Sequence, residues 1–548
     1  MNDTSNKLEL TPEIQRLIEN YQAALEEIEP KGEISTIHVD EIASKVAVLY
    51  EKVRKIVDWK EEHLLRRGAI ERILKRRLIG ELSNSSILPP GQPQKMAEPL
   101  VLELIRGGHF PNDQIPRNKI DNVEKILKKY IYILNNNSLS KTIKVKERIN
   151  FYNWIIEICA CEIEETLGQP AKENLLLNFM TEIITNRIQF GPKLEMSSEN
   201  KTIQTYVAAH RTLYDLDDPI VSYHLLKIYY PNWVEADQTL IKRVTEDILK
   251  IQKRLEKDLN HKHSSKFRKV CEKYDTVFLI IGDVLNNLSK APQKIKEKFS
   301  DKKTLKKLVK NAYNNRLVTL KKRLRRAAIY STLSILVANI VSLYVIEVPL
   351  AKLVYGDFRP LAIIVDLLLP TLVMFLLVIA IKLPPAENLK RVIKEISKVV
   401  YPHQEKDIYE LRLQKRGFLV NVIIKGLYLI TSIGSLTLVY KIFSIAKIPL
   451  TSLIVDTLNV SMIVFAGTII RQRAKELTIE EKRGFWQFLL DILSVPVAKL
   501  GQWLSNKWRE YNIVSVFLTV LVDVPFSTLV EFIESWSTFL KEKKAELH

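Results

Sequence analysis

Residues 302–326, KKTLKKLVKNAYNNRLVTLKKRLRR, carry eleven lysines or arginines and no acid, and the run stops at Arg326. Ala327 then opens AAIYSTLSILVANIVSLYVIEV, 22 residues whose one charge, Glu347, stands at the far end. As a helix such a run is about 33 Å long, enough to cross the hydrocarbon layer of a bilayer. Cations beside a span stay on one side of the membrane, because carrying them through oil is unfavourable. The junction at 326 and 327 therefore predicts that the chain beyond it threads a membrane and that the chain before it remains on the collar's side.

The same pattern recurs downstream. A second span is predicted over 361–382, followed by a polar loop, 383–417, rich in Lys390, Arg391, Lys394, Lys398, Arg412, Lys415 and Arg416. A third span covers 418–440, and a fourth, 450–470, meets Arg471, Arg473 and Lys475. The loops at 349–360 and 441–449 carry fewer cations. Basic clusters thus bracket two hairpins, 327–382 and 418–470, and both hairpins start and end on the collar's side. Anionic phospholipid is the expected surface for the collar, with Lys321, Lys322, Arg323, Arg325 and Arg326 against headgroups at about 1 kcal/mol each.

The tail, 471–548, is apolar over 485–500 and 512–532 but interrupted by Asp491, Lys499, Asp523, Pro525 and Glu531. Trp486, Trp503 and Trp508 fall here, and tryptophan favours the headgroup zone. A spanning hairpin would set Lys507 and Arg509 on the side opposite the collar. An interfacial helical tail is predicted instead.

Ahead of the collar the chain is charged and helical in pattern. Only 16 glycines occur in 548 residues, too few for the turns of an all-β fold or for phosphate-cradling loops. In the first segment, 1–82, a helical pair is expected over 10–79. Within it Val39, Ile42, Val46, Leu49, Val53 and Ile56 repeat at heptad spacing. The stretch 83–97 reads as a proline-rich loop, since Pro89-Pro90 stops a helix and Gly91 turns the chain. The domain 98–301 is predicted to hold helices at 119–135, 143–167, 171–188, 201–214 and 218–230, the last capped by Asp217 or Asp218. A second seam runs through Ile241, Val244, Ile248, Ile251 and Leu255. Both seams are short, which favours packing within one chain, with homo-oligomerisation as the alternative. The fold class is all-α: a cytoplasmic helical bundle, a four-span transmembrane domain in two hairpins, and the interfacial tail.

A net charge of +19 fits nucleic acid as well as membrane, but the basic run ends at a span, so nucleic acid is not the expected partner. Phosphate-loop, H-E-x-x-H and G-x-S-x-G patterns are missing from the sequence. Cys159, Cys161 and Cys271 make neither a disulfide framework nor a zinc site alone and read as buried thiols. His261 and His263, among Lys, Asn and Ser, read as solvated. Neither enzyme chemistry nor a metal or cofactor is expected. The opening MNDTSNKLEL has no basic or apolar export region, which predicts no cleaved signal. With frequent Ile, Lys and Asn, this points to a prokaryotic inner membrane with both termini cytoplasmic.

Two short motifs remain. PLAIIVD (360–366) opens the second span and PLTSLIVD (449–456) opens the fourth, so Asp366 and Asp456 each lie about 9 Å in from the outer end. The match suggests duplicated hairpins, chance likeness of apolar segments being the alternative. Two carboxylates at that depth suit a cation or a proton relay; the structural alternative is hydrogen bonding to neighbours such as Thr451, Ser452 and Asn459. Lys425 in the third span sits in the other half of the layer, where snorkelling to the surface accounts for it. Pro370 interrupts the second span just past Asp366. The function this predicts is a non-enzymatic, membrane-anchored interaction protein, with an oligomeric transporter or channel using Asp366 and Asp456 as the alternative.

Overall fold

The computed structural model describes residues 8–28, 35–39, 62–79, 93–137, 145–168, 170–191, 196–344, 360–379, 383–402, 408–411, 418–445, 450–479 and 485–510, with a few isolated positions besides. Helix dominates, at 83% against 2% strand, so the chain is all-α. It divides into two compact units.

One unit comprises Leu8–Ser300 with Val399–Leu411 and the last residues. Its helices are α1 (Pro12–Ile28), α2 (Glu62–Ile79), α3 (Pro93–Arg106), α4 (Asn118–Asn136), α5 (Val145–Gly168), α6 (Ala171–Arg187), α7 (Ser198–Leu213), α8 (Asp218–Tyr229), α9 (Gln238–Leu259), α10 (Ser264–Leu288) and α11 (Ile295–Ser300). Short polar caps start several of them: Ser197, Asp217 and Asp237 each accept from a backbone N–H in the first turn of α7, α8 and α9. Helix α5 packs between α2 and α4 and also meets α8, while α7 packs on α6 and α10. The seam of α9 is spent inside this bundle: Val244, Ile248, Ile251 and Leu255 are buried, with α8, α4 and α7 as neighbours. The other seam lies at 42–56, outside the described residues. Its first member corrects the helical expectation, because Val39 belongs to an extended segment held by Asn112, whose side chain bonds both the N–H and the carbonyl of Val39. Cys159, Cys161 and Cys271 are buried free thiols, whereas His263, expected in solvent, is largely buried at the start of α10.

The polar loop after the second apolar helix contributes to this unit. Strand β1 (Ile188–Phe190) pairs in parallel with β2 (Tyr409–Leu411), Ile188 opposite Tyr409. Tyr401 donates to the carbonyl of Phe299 at 2.8 Å, and the N–H and hydroxyl of Thr11 bond the carbonyls of Val400 and Val399. Segment 399–411 is therefore stitched to the front half of the chain.

The second unit holds Asp301–Lys398 and Arg412–Leu518. Its main helices are α12 (Lys302–Ser342), α13 (Pro360–Ile379), α14 (Ala386–Val400, whose last turn crosses into the first unit), α15 (Phe418–Ile445), α16 (Leu450–Ala474) and α17 (Phe485–Glu510). Collar and apolar run form one continuous helix, α12, started by Asp301, which accepts from the N–H groups of Lys303 and Thr304. Helix α13 packs between α12 and α16, α17 packs on α16, and α15 packs on α17.

Candidate functional site

The apolar helices of the second unit are inside-out by the standards of a protein in water. On α12 the residues Ile329, Leu333, Val337 and Ile340 form an exposed stripe, and on α15 Phe418, Leu419, Ile423, Leu427 and Ile430 are exposed. Residues Phe418–Ser435 of α15 are long and apolar enough to cross a membrane. The opposite face of α12 is packed: Ala327 and Ile335 meet Met374 and Val378 of α13, and Ile463 and Ile470 of α16. The directions of the three helices follow from Asn388, shortly past the end of α13. It meets Leu477, shortly past the end of α16, and Tyr313, ahead of the apolar run of α12. Helix α12 runs antiparallel to α13, and α13 runs parallel to α16, where a Cβ on Gly467 would come 3.1 Å from Leu377.

That contact has a consequence for the two motifs. Leu377 lies eleven residues past Asp366 and Gly467 eleven past Asp456, and eleven residues are close to three helical turns. Backbone positions 366 and 456 therefore stand at one level on parallel neighbouring helices, to within about one turn. Asn339 is 7% exposed, and its Nδ2 has no hydrogen-bond partner among the described residues. The placement of the Asp366 and Asp456 side chains lies outside the described residues. Lys425 is exposed on α15, which packs mainly on α17. The collar residues Lys321, Lys322, Arg323, Arg325 and Arg326 are all exposed. Trp503 is exposed on α17; the side chains of Trp486 and Trp508 are outside the described residues.

The three chain segments that the charge pattern assigns to the collar's side meet at Asn388. Its Nδ2 donates to the Tyr313 hydroxyl at 3.1 Å and to the carbonyl of Leu477, and its Oδ1 accepts from the N–H of Ile479 at 3.1 Å. Arg316 adds an ion pair to Glu476. Helix α17 covers the described part of the tail ahead of residue 511. It runs antiparallel along α16, with Arg471 paired to Asp491 at 2.6 Å and Gly501 against Ser461 and Phe465. Lys499 lies over the Tyr428 ring of α15 at 4.7 Å.

The first unit contains a separate feature, a cleft of about 1260 Å³ between α4, α5, the start of α9 and the loop before it. Its floor is a buried ionic network. Lys129, 5% exposed, donates to Glu162 at 2.6 Å and to the carbonyl of Trp233 at 2.8 Å, and Glu162 is fully buried. Tyr130 donates to the other oxygen of Glu162 at 2.7 Å and accepts from the Trp233 indole at 3.1 Å. Burial pushes the Glu162 carboxyl up, and Lys129 pulls it back. Beside it Glu165 takes two bonds of 2.7 Å from Lys227. Sequence reading passed over this place, although the spacing of Lys119, Asn122, Lys125, Lys129 and Tyr132 already sets five polar groups on one face of a helix.

No protein-family model, curated protein or solved structure matches the chain. The site's own chemistry has to carry the reading. Among the described residues no group of three His, Cys, Asp or Glu side chains is arranged to hold a metal.

Proposed function

We propose that this chain is a membrane-anchored interaction protein, with its large helical unit on the basic side of the bilayer and α12, α13, α15 and α16 crossing it. The observation that carries the reading is the exposed surface of Phe418–Ser435, a helix long and apolar enough to span, with little protein covering it. In water that surface would be unfavourable by about 25 cal/mol per Å², and lipid removes the cost. Two further features agree with the threading. The stitching of 399–411 to the front half requires both to share one side of any membrane. Asn388 gathers three ends that the charge pattern assigns to that same side. On this reading α17 lies at the depth of α16, and its Lys499 answers to the Tyr428 ring.

Single cysteines test the threading. Lys352→Cys and Lys447→Cys should react with an impermeant maleimide added outside intact cells, and Lys390→Cys only after permeabilisation. The reverse pattern would end the proposal. Capture of the full chain from detergent-solubilised membranes, with mass-spectrometric identification, should then recover a stoichiometric protein partner, as an anchored interaction protein requires.

A second reading, an intramembrane cation or proton site in a transporter or channel, is favoured by one observation. Backbone positions 366 and 456 stand at one level on the neighbouring helices α13 and α16, and Asn339 of α12 offers a buried donor with no partner among the described residues. Asp366→Asn and Asp456→Asn should then abolish ion flux in liposomes while leaving the fold intact. Unchanged flux removes this reading.

A further inference from the structure

We propose that the cleft in the first unit binds a phosphorylated small molecule, a ligand with a multiply charged phosphate head and a partly planar body. The inference stands apart from the membrane reading, since every residue it uses lies within Leu8–Ser300.

Charge bookkeeping decides the sign of the ligand. The acids at the floor are already answered, Glu162 by Lys129 and Tyr130, and Glu165 by Lys227. Toward the opening the lining adds Lys125, Lys128 and Lys242 against Glu235, with Lys119, which has a contact of its own, beside them. Lys128 is paired to Glu124, whereas Lys125 and Lys242 are exposed and make no ion pair among the described residues. These two line the same cleft from different helices, Lys125 from α4 and Lys242 from the first turns of α9, so both lie on the way of an anion entering it. Lysine suits phosphate as a point charge with three rotatable donors.

The body of the ligand is read from the rest of the lining. Tyr132 and Val234 are large side chains left 40% and 55% exposed at the cleft, a surface that a planar or apolar group would cover. Asn122, Gln238 and Thr239 supply neutral donors and acceptors beside them. The lining is mainly charged and polar, with Ile126, Val234, Ala236 and Ile241 as its apolar members, a composition that suits a charged head more than an apolar ligand. The volume exceeds the roughly 300–1,000 Å³ typical of small-molecule sites, which leaves room for head and body together. The floor is built to hold this shape: Trp233, fully buried, is tied to Lys129 and Tyr130, and that anchor sets Val234–Ala236 at the rim.

Phosphate esters reach such a cleft from two sources, free nucleotides and lipid headgroups. Titration calorimetry on the full chain in detergent at low salt separates them, with ATP as the first probe and inositol trisphosphate as the second. Saturable one-to-one binding of either probe, weakened at least tenfold by Lys125→Glu with Lys242→Glu, is the expected result. Both positions are exposed, so folding should be untouched, and an unchanged melting temperature checks this. Reversing the collar through Lys321→Glu and Lys322→Glu should leave affinity unchanged. Failure of both probes to bind would overturn the proposal, as would binding that follows the collar variant and ignores the cleft variant. Preference for polyglutamate over both probes would overturn it in favour of an acidic peptide.

Discussion

Asn388 donates to the hydroxyl of Tyr313 at 3.1 Å across 75 residues of chain, and the same amide holds both Leu477 and Ile479. One side chain, 1% exposed, thus joins α12, α14 and the segment after α16. Each bond is worth about 1 kcal/mol net, but cutting the amide also leaves a carbonyl and an N–H buried and unmet.

Asn388→Ala should therefore destabilise the second unit by about 2–4 kcal/mol. Tyr313→Phe removes only one bond and should cost about 1 kcal/mol. Because the two groups touch, the double variant should cost less than the sum of the singles, and a double-mutant cycle by thermal or urea unfolding measures the difference. Additive losses would show that the triple junction does not act as a unit.

The second prediction concerns pH. His210 and His224 are buried side by side in the first unit, ring centroids 4.8 Å apart, and neither ring nitrogen of His210 has a hydrogen-bond partner among the described residues. Burial, with Lys227 adding to it, pushes His210 down to about 3, and burial followed by His210 and Lys227 lowers His224 well below its usual range. Both rings are thus neutral when folded and charged at mild acid when unfolded. Their contribution is fully present above about pH 6.5 and is lost as pH falls below it, at about 1.4 kcal/mol per pH unit for each ring. Glu157 works the other way: burial and Glu71 raise it to about 6, so it favours the folded chain as pH falls from about 6 to 4.5. Burial raises Glu162 and Asp217 as well, so the test is the histidine share of stability, which falls from pH 6.5 to pH 4. His210→Leu should flatten that fall in melting temperature, with little change at pH 8.

The third concerns the floor of the cleft. Lys129→Met leaves Glu162 buried beside Tyr130 with no cation, and breaking one partner of a buried pair typically costs about 3–5 kcal/mol. Adding Glu162→Gln should recover a good part of that loss, because no uncompensated charge is left behind. Chemical denaturation of the two variants checks the order; equal stabilities would mean that water already reaches the pair.

How much of this was legible beforehand follows the range of each interaction. Helices 119–135, 171–188 and 218–230 were readable to within a residue or two because caps and apolar spacing are local. Asp217 was visible as a cap for the same reason. The cleft was not, since Lys129, Glu162 and Trp233 meet only through the packing of α4 against α5 and the loop before α9. Nor was the stitching of 399–411, because three residues of strand carry no alternation to recognise. The common level of positions 366 and 456 was readable as a repeat of PL…IVD, but that α13 and α16 are neighbours came from Leu377 and Gly467. The partners of Asp491 and Lys499 in the tail were not legible either, since Arg471 and Tyr428 reach them only through the packing of α17 on α16 and α15.

Gly501 supplies the last prediction. Helix α17 approaches α16 so closely there that a Cβ would run into the carbonyl of Ser461 and stand 2.9 Å from the Cβ of Phe465. Backbone cannot yield as a flexible side chain does, so the two helices must separate to admit even a methyl group. Small residues at a helix crossing allow the close packing that drives helix association in lipid, where the hydrophobic effect between helices is absent. Gly501→Ala should lower stability by about 1–3 kcal/mol, and Gly501→Leu by more. Gly434 on α15 is the control: a Cβ meets nothing within 4 Å, so Gly434→Ala should be neutral or stabilise by up to about 1 kcal/mol through helix propensity. Melting of the purified full chain in detergent distinguishes the two sites. Should Gly501→Ala match Gly434→Ala, the crossing of α16 and α17 is looser than this packing requires, and the Arg471–Asp491 pair alone must hold the hairpin.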